Sequence, residues 1–388
     1  SGMLVSYQMN VIFYDAMIML PLVIIYLEDL LDGGRPYRYA FILGLTVFLQ
    51  FYMGYMISIF IVLYSCYYVS PRLSIQGTLK QKLKHFLSPL VKTFAFSVIG
   101  VATASVLIVP VFYNLLESKG QVGDAMRFSF AFQINPVDIL SKLAIGGFDT
   151  TSGWSTGPNL PNIYIGALGF IGFILYFTSK QVAKEKRWAA GAVTLIFLIS
   201  FVNEFVSKIW HMGQNPAGFF FRFSWLFSFF MLVLAYQVVK GQVEISRRGK
   251  LLSVVLLVLS AIYLYTKKFT YLPKTQPEAL TQFLSKNFIV FWILLLAITA
   301  ACSYLYWSRS CKAPKVKKIV LLIAGAVVLL LGILLQTGYL LSQVVLTLLV
   351  YLAVIFLLRS RMTRLAILAL STLTIFELGY NAYLSQAT

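Results

Sequence analysis

Residues 14–31 read YDAMIMLPLVIIYLEDLL, and the turn residues Gly33, Gly34 and Pro36 follow this stretch closely. An α-helix needs about 20 mainly apolar residues to cross a hydrocarbon core of about 30 Å. The stretch therefore predicts a transmembrane helix that runs from the outer face to the cytoplasmic face. Glycine and proline mark turns, so we expect the chain to re-enter the membrane at Tyr37.

Apolar runs of similar length recur over the whole chain. Of the 388 residues, 59% are hydrophobic and 12% are charged, and the mean hydropathy of +0.82 excludes a soluble globular protein. The sequence predicts an all-α fold, a polytopic transmembrane helical bundle that forms one domain over residues 1–388. About twelve spans are expected, at Tyr14–Leu31, in both halves of Arg38–Val69, and at Thr93–Leu116, Ile163–Thr178, Trp188–Val206, Phe219–Val239, Leu251–Tyr265, Phe288–Trp307, Ile319–Gln336, Ser342–Leu358 and Leu365–Leu384.

Two boundaries between spans are predicted from length and composition. The run Arg38–Val69 is too long for one span, so we place a tight outer turn at Gln50–Met56. The basic amphipathic stretch Gly77–Lys92 is expected to lie on the cytoplasmic surface. We expect the next span to begin after it, at Thr93, with Pro110 near its outer end.

The longest polar segment, residues 117–162, is predicted on the outer face. A loop of this length in a compact membrane domain is usually functional or covered by a partner. Its glycine, proline and asparagine content predicts an ordered outer cap with short interfacial helices, one of them capped by Asp138. Asp149 is a candidate for a ligand contact, and capping of a turn is the alternative for this residue.

The positive charge of the chain is concentrated between alternate spans. The chain has 32 Lys and Arg against 13 Asp and Glu, a formal net charge of +19. Most of the basic residues lie in short clusters such as Lys180–Arg187 and Lys240–Lys250. The positive-inside rule assigns these clusters to the cytoplasm, where anionic lipids also favour them. Membrane topology thus accounts for the charge, and nucleic acid is not expected as a partner.

A few ionisable residues are predicted near the outer face, close to the bilayer. Such groups are costly there and therefore mark candidate functional sites. They are Asp15, Glu204, His211, Arg222 and Glu377. Asp15 starts a span, where its carboxylate would either cap the helix or orient a catalytic partner. Glu377 is expected to pair with a neighbouring helix.

The stretch WHMGQNPAGFFFRFSW, residues 210–225, predicts a binding pocket, with an arginine about one helical turn inside the following span. Arginine is always charged and its fork of donors matches phosphate, so Arg222 is a candidate receptor for a lipid phosphate. The alternative is that Arg222 only reaches the interface among aromatic residues. A structural, hydrogen-bonded role is the alternative for His211. The predicted substrate-binding set is Arg222, His211, Asn215, Trp210, Asp149 and Glu204.

The sequence lacks the motifs of soluble enzymes and of common metal sites. Its three cysteines, Cys66, Cys302 and Cys311, have no CxxC or His/Cys spacing and are interpreted as packing residues. No GxGxxG, GxSxG or HExxH pattern occurs. No cofactor is therefore predicted with certainty, and the participation of a divalent metal stays open.

Several further pieces of sequence keep their order along almost the whole chain. They are SGMLV at the start, N-x(4)-DA-x(3)-LPL at Asn10–Leu22, FYMGYM from Phe51, GGFD…GPNLPNIYIG, WHMGQNP…FRFSWLFSFF, and FELGYNAY near the end. Taken together, these pieces resemble the YfhO family of bacterial polytopic membrane proteins. This family belongs to the GT-C type of glycosyltransferases.

The resemblance implies a GT-C-like bundle in the bacterial cell membrane with its active face outside. It implies transfer of a sugar from a polyprenyl-phosphate donor to a cell-envelope polymer such as lipoteichoic acid. GT-C enzymes keep their essential acid in the first outer loop, which corresponds to chain upstream of Ser1. We therefore expect a fragment of a longer protein whose main catalytic acid lies upstream of Ser1, and Asp15 is the catalytic candidate within this sequence.

The alternative function is a transporter or flippase of lipid-linked sugars, because the same number of spans suits it equally well. Transporters usually bind their substrate near the middle of the bilayer. In this chain the candidate charged residues are predicted near the outer face, which favours catalysis. The expected partners are the lipid-linked donor, the envelope polymer and membrane lipids.

Overall fold

The computed structural model describes residues 11–117, 129–145, 160–213, 216, 220–240, 246–267, 339–358 and 364–387. Regular structure in this part is helical, with one isolated bridge between Phe132 and Asn203, so the all-α prediction is confirmed. Short 3-10 helices cover Val11–Phe13, Ser70–Ser74 and Pro136–Leu143. The described α-helices are α1 (Tyr14–Leu31), α2 (Pro36–Leu49), α3 (Phe51–Val69), α4 (Leu79–Thr103), α5 (Ser105–Glu117), α6 (Gly166–Thr178), α7 (Lys184–Val202), α8 (Glu204–Trp210), α9 (Ser224–Val239), α10 (Arg247–Lys267), α11 (Tyr339–Leu357) and α12 (Arg364–Ala387).

Apolar composition and turn residues account for many of these bounds. α1 coincides with the predicted span Tyr14–Leu31. α2 begins with Pro36 in its first turn, where a missing N–H breaks no helical hydrogen bond. The predicted span Trp188–Val206 is wrong at its outer end, because the chain takes an extended conformation at Asn203 and continues as the separate helix α8.

The predicted turn at Gln50–Met56 is wrong in its extent. The chain breaks at Gln50 alone, with φ −151° and ψ 89°, and α3 begins with the next residue. The Gly54 N–H donates to the Gln50 carbonyl at 2.8 Å, so helical bonding resumes at once. A Cβ at Gly54 would lie 2.9 Å from Cγ2 of Val47 on α2. The glycine therefore permits the close approach of α2 and α3.

The predicted boundary at Thr93 is also wrong. The basic stretch and the apolar stretch after Lys92 form one continuous helix, α4. Its start is a reciprocal capping box, in which the Thr78 hydroxyl accepts from the Gln81 N–H and the Gln81 side chain accepts from the Thr78 N–H. A change from basic to apolar residues removes no backbone donor, so the helix continues until Ala104.

Part of the predicted outer segment 117–162 lies in the described residues. The 3-10 helix Pro136–Leu143 confirms the expectation of a short helix, and Asp138 stands in its first turn. The Tyr263 hydroxyl on α10 donates to the Asp138 carboxylate at 2.8 Å. Asp138 therefore also joins this short helix to α10.

The chain divides into two compact units, each built from stretches that are distant in sequence. Unit I contains the described residues of Tyr7–Pro136 and Val182–Phe227, and unit II contains those of Val137–Gln181 and Ser228–Thr388. In unit I, α2 packs on α1 and α4, and α3 packs on α1 and α7. In unit II, α6, α10 and α11 pack on one another, and α12 packs on α6 and α11. One domain over residues 1–388 stays a prediction.

Two described helical stretches are long and apolar enough to cross a membrane by length and composition, Phe51–Ser74 and Leu79–Thr103. The shorter apolar helices are Pro36–Leu49, Gly166–Thr178, Ser224–Val239, Leu346–Ile355 and Ile367–Ala382. The predicted spans Phe288–Trp307 and Ile319–Gln336 lie outside the described residues. The expected number of spans therefore stays a prediction.

Candidate functional site

The candidate site lies in unit I, around the short helix α8 and the turn after it. Asn203 caps α8, because its side chain accepts a hydrogen bond from the Val206 N–H at 3.1 Å. After the helix, Met212 and Gly213 have φ values of 56° and 84°, in the left-handed region that side chains disfavour. α8 therefore ends in a turn at His211–Gly213.

His211 is buried, with 3% of its surface exposed, and both of its ring nitrogens are hydrogen bonded. Nε2 lies 2.6 Å from the Phe220 carbonyl oxygen, and Nδ1 lies 2.6 Å from the Tyr52 hydroxyl. A carbonyl only accepts, so Nε2 carries the proton, and the Tyr52 hydroxyl donates to Nδ1. Burial, opposed by the bond to Phe220 and assisted by the charge of Arg222, lowers the pKa of His211 to about 4. The ring is therefore neutral at physiological pH.

Arg222 lies between two aromatic rings. Its Cζ is 5.1 Å from the centre of the Tyr52 ring and 5.7 Å from the centre of the Phe13 ring, within the range of cation–π attraction. The Arg222 side chain also hydrogen-bonds Tyr52. Phe13 directly precedes α1 and Tyr52 lies in the first turn of α3, so the guanidinium stands where two helices begin.

The position of Arg222 corrects the predicted geometry. The sequence places Arg222 one turn inside a span that begins at Phe219, but α9 begins only at Ser224. The preceding residues form turns, and the Ser224 N–H donates to the Phe221 carbonyl at 2.9 Å. The aromatic side chains in this stretch are used for packing, since Phe221 and Phe223 are both buried. Arg222 therefore stands just before a helix rather than within one.

Trp210 belongs to the aromatic core beside the site. Its ring stacks on Phe223, with centroids 4.9 Å apart, and on Phe197, with centroids 5.1 Å apart. The indole N–H donates to the Ser200 hydroxyl at 2.9 Å. With 2% of its surface exposed, Trp210 fixes the turn that carries His211. Substrate binding by Trp210 stays a prediction.

The remaining predicted site residues lie in several places. Glu204, in the first turn of α8, forms a salt bridge of 2.7 Å with the buried Lys208. Asp15 is exposed in the first turn of α1. Asp149 and Asn215 lie outside the described residues. His211, Arg222 and Trp210 are thus the predicted residues that the structure brings together.

Sequence reasoning missed Tyr52 and Phe13, the two rings that hold Arg222. The predicted turn over Gln50–Met56 does not determine where the Tyr52 side chain points. Since α3 includes this stretch, Tyr52 and Tyr55 lie one turn apart on the same side of a helix. Their spacing directly after the break is the signal that could have found them. The Tyr55 hydroxyl donates to the Ile209 carbonyl at 2.8 Å and so also joins α3 to α8.

An apolar groove lies between α3 and α4 in the same unit. Its volume is about 800 Å³, and its lining includes Tyr55, Val62, Phe94 and Val98. The last three side chains are largely exposed. Because Tyr55 follows Tyr52 by one helical turn, one end of the groove adjoins the His211–Arg222 site. A groove of this composition matches a hydrocarbon chain rather than a polar ligand.

The arrangement can bind an anion. Neither Phe13, which precedes α1, nor Gln50, which precedes α3, caps its helix with a side-chain hydrogen bond. The first N–H groups of a helix carry partial positive charge, and the Arg222 guanidinium adds a full charge beside them. Among the described residues, no group of three or more His, Cys, Asp or Glu is placed to hold a metal ion.

The apolar helices and the cation held at two helix starts define a helical membrane protein with a candidate anion site. A family described as bacterial membrane protein YfhO matches residues 1–388, the whole chain. The chain therefore belongs to the YfhO family, and the resemblance in its sequence is confirmed. No curated protein and no solved structure matches it.

Proposed function

We propose that this chain is a multi-pass glycosyltransferase of the bacterial cell membrane with its active face outside. It moves a sugar from a polyprenyl-phosphate donor to a cell-envelope polymer such as lipoteichoic acid. The observation that carries the proposal is the position of the Arg222 guanidinium between Phe13 and Tyr52. Membership of the YfhO family and its resemblance to GT-C enzymes support the class of reaction.

The phosphate of the donor is the group that Arg222 suits best. A guanidinium presents a planar fork of donors that matches phosphate oxygens. The start of α3, where Tyr52 contacts Arg222, adds partial positive charge nearby, and helix starts of this kind bind phosphate. His211 is proposed as a positioning residue, because both nitrogens of its neutral ring are hydrogen bonded within the protein, one of them to the Tyr52 hydroxyl. Asn215, outside the described residues, is proposed as a further phosphate contact.

The polyprenyl chain of the donor fits the apolar groove between α3 and α4. The groove begins at Tyr55, one turn from the proposed phosphate site, and continues along both helices. A lipid phosphate joins an anionic head to a long hydrocarbon tail. A single ligand of this kind would occupy the Arg222 site and the groove together.

The reaction needs a base and a cation. The bond between the sugar C1 and the phosphate oxygen breaks, and an acceptor hydroxyl oxygen forms a new bond to C1. The polyprenyl phosphate leaves with the electron pair, and Arg222 stabilises its charge. The hydroxyl proton passes to a carboxylate. Asp15, exposed in the first turn of α1, is our candidate for it in the described part of the chain, and Asp149 is proposed on the acceptor side.

Sugar transfer by Arg222 variants tests the proposal. The chain is assayed in membrane vesicles with radiolabelled polyprenyl-phosphate hexoses and lipoteichoic acid. Arg222→Lys keeps the charge but loses the donor fork, so transfer should fall roughly tenfold or more at equal protein level. Arg35→Lys is the matched control and should transfer normally, because Arg35 bonds only the nearby Tyr37 in an exposed position.

Two outcomes would contradict the proposal. Equal transfer by the wild type and Arg222→Lys would show that Arg222 only reaches the interface. Movement of the labelled donor between leaflets without transfer to the polymer would favour the flippase instead.

A further inference from the structure

A buried acid in unit II has no part in the proposed transfer. Glu377 lies in α12 with none of its surface exposed. Its helix carries one other charged residue, Arg364, about 20 Å away along the helix axis. An acid in such a position is costly unless its charge is balanced or removed.

The two oxygens of Glu377 have different surroundings. Oε1 accepts two hydrogen bonds, from the Tyr164 hydroxyl at 2.5 Å and from the Ala167 N–H at 2.7 Å. Oε2 is buried and makes no hydrogen bond. An ionised carboxylate has two equivalent acceptor oxygens, whereas a carboxylic acid has one accepting carbonyl and one oxygen that carries the proton. The observed asymmetry is that of the acid, with Oε1 as the carbonyl.

The helices around Glu377 supply no balancing charge. α6 and α11, the described helices that pack on α12, contain no charged residue. The titratable groups that face the carboxyl are the phenols of Tyr164, from the residues before α6, and Tyr351, from α11. Both phenols are neutral at physiological pH, so an ionised Glu377 would lack a compensating cation among the described residues.

Gly166, at the start of α6, lies beside the Oε2 oxygen of Glu377. A Cβ built at Gly166 would lie 3.5 Å from Oε2 and 3.3 Å from Cδ2 of Leu378. The contact with Leu378 would be tight, so any residue larger than glycine would crowd this side of the carboxyl.

We propose that Glu377 is a proton-binding site, a neutral carboxylic acid that carries its proton on Oε2. In this form its carbonyl oxygen caps the start of α6, where the Ala167 N–H belongs to the first turn. Loss of the proton would leave an unbalanced charge among apolar helices. The contact between α6 and α12 is therefore linked to the proton. This inference does not depend on sugar transfer.

Infrared spectroscopy of the full chain in lipid nanodiscs tests directly whether Glu377 carries a proton. At neutral pH a protonated carboxyl gives a C=O stretching band that is separate from the amide bands. Glu377→Gln keeps an oxygen that accepts from Tyr164 and Ala167 but cannot bind the proton. The band should therefore be lost while the thermal midpoint is retained.

Two further variants make the assignment specific. Tyr164→Phe removes one donor from the carbonyl oxygen, so the band should shift to higher frequency. Asp138→Asn is the matched control, because Asp138 is another acid of unit II that accepts from a tyrosine, and the band should not change. Absence of the band in the wild type, its survival in Glu377→Gln, or no shift in Tyr164→Phe would overturn the proposal.

Discussion

Acid should destabilise unit I through His211. The ring is buried and neutral in the folded protein, where burial lowers its pKa from 6.5 to about 4. In the unfolded chain the same ring binds its proton near pH 6.5. Between these two values the unfolded state therefore binds more protons than the native state. The contribution of His211 to the free energy of unfolding is fully present above pH 6.5 and is lost as the pH falls towards 4.

The expected size of this effect follows from the shift in pKa. One pKa unit corresponds to about 1.4 kcal/mol, so the change from 6.5 to about 4 amounts to roughly 3 kcal/mol in the free energy of unfolding. This is a large part of the stability of a typical domain, which is about 5–15 kcal/mol. The burial of the ring, with 3% exposed, leaves little solvent screening to reduce it.

Denaturant unfolding in detergent micelles, followed by tryptophan fluorescence, measures this effect. His211→Phe removes the titrating ring and its hydrogen bonds to Tyr52 and Phe220. The stability difference between the wild type and this variant should be largest above pH 6.5 and should shrink by roughly 3 kcal/mol towards pH 4. His85→Gln, at the other, exposed histidine, should keep the full pH dependence of the wild type. A difference that does not change with pH would refute the reasoning.

Three further predictions concern packing and the salt bridge. Gly54→Ala should lower the free energy of unfolding by about 1–3 kcal/mol, because the new Cβ meets Val47 on α2. Gly379→Ala, where the new Cβ has open space around it, should lower the free energy of unfolding far less. Lys208→Met should cost about 1–3 kcal/mol, because it removes the ammonium group that balances the Glu204 carboxylate, and adding Glu204→Gln should restore most of this loss in denaturant unfolding. Trp210→Phe loses a hydrogen bond and core volume and should cost about 1–3 kcal/mol in the same assay; unchanged midpoints would contradict each expectation.

Local composition predicted much of the fold. The apolar run at Tyr14–Leu31 became a helix with the same bounds, because the turn residues that end the run also end the helix. The wrong boundary at Thr93 has a different cause. Gly77–Lys92 differs from the following residues in polarity, but a polarity boundary marks a change of surroundings rather than a break in the backbone. α4 therefore passes through it.

The candidate site could be predicted only in part. Residues 210–225 indicated His211 and Arg222 because ionisable groups are rare in apolar sequence. Their partner Tyr52 is 159 positions away from His211 and depends on where α3 begins. One residue more or less in the turn at Gln50 would rotate Tyr52 by about 100° around its helix. A contact of this kind follows from helix register, which apolar composition does not determine.

The starts of the helices place different groups in the two units. Glu377 lies beside the start of α6 in unit II, and Arg222 lies beside the start of α3 in unit I. A helix in an apolar environment leaves its first N–H groups without partners, and each needs an acceptor. At α6 the preceding residue, Ile165, provides no side-chain cap, and Glu377 of α12 supplies the acceptor instead. At α3 the preceding residue, Gln50, also provides no side-chain cap. Beside this start the structure places the Arg222 guanidinium over the Tyr52 ring, and a guanidinium is a donor that suits an anion, as in the phosphate contact proposed above.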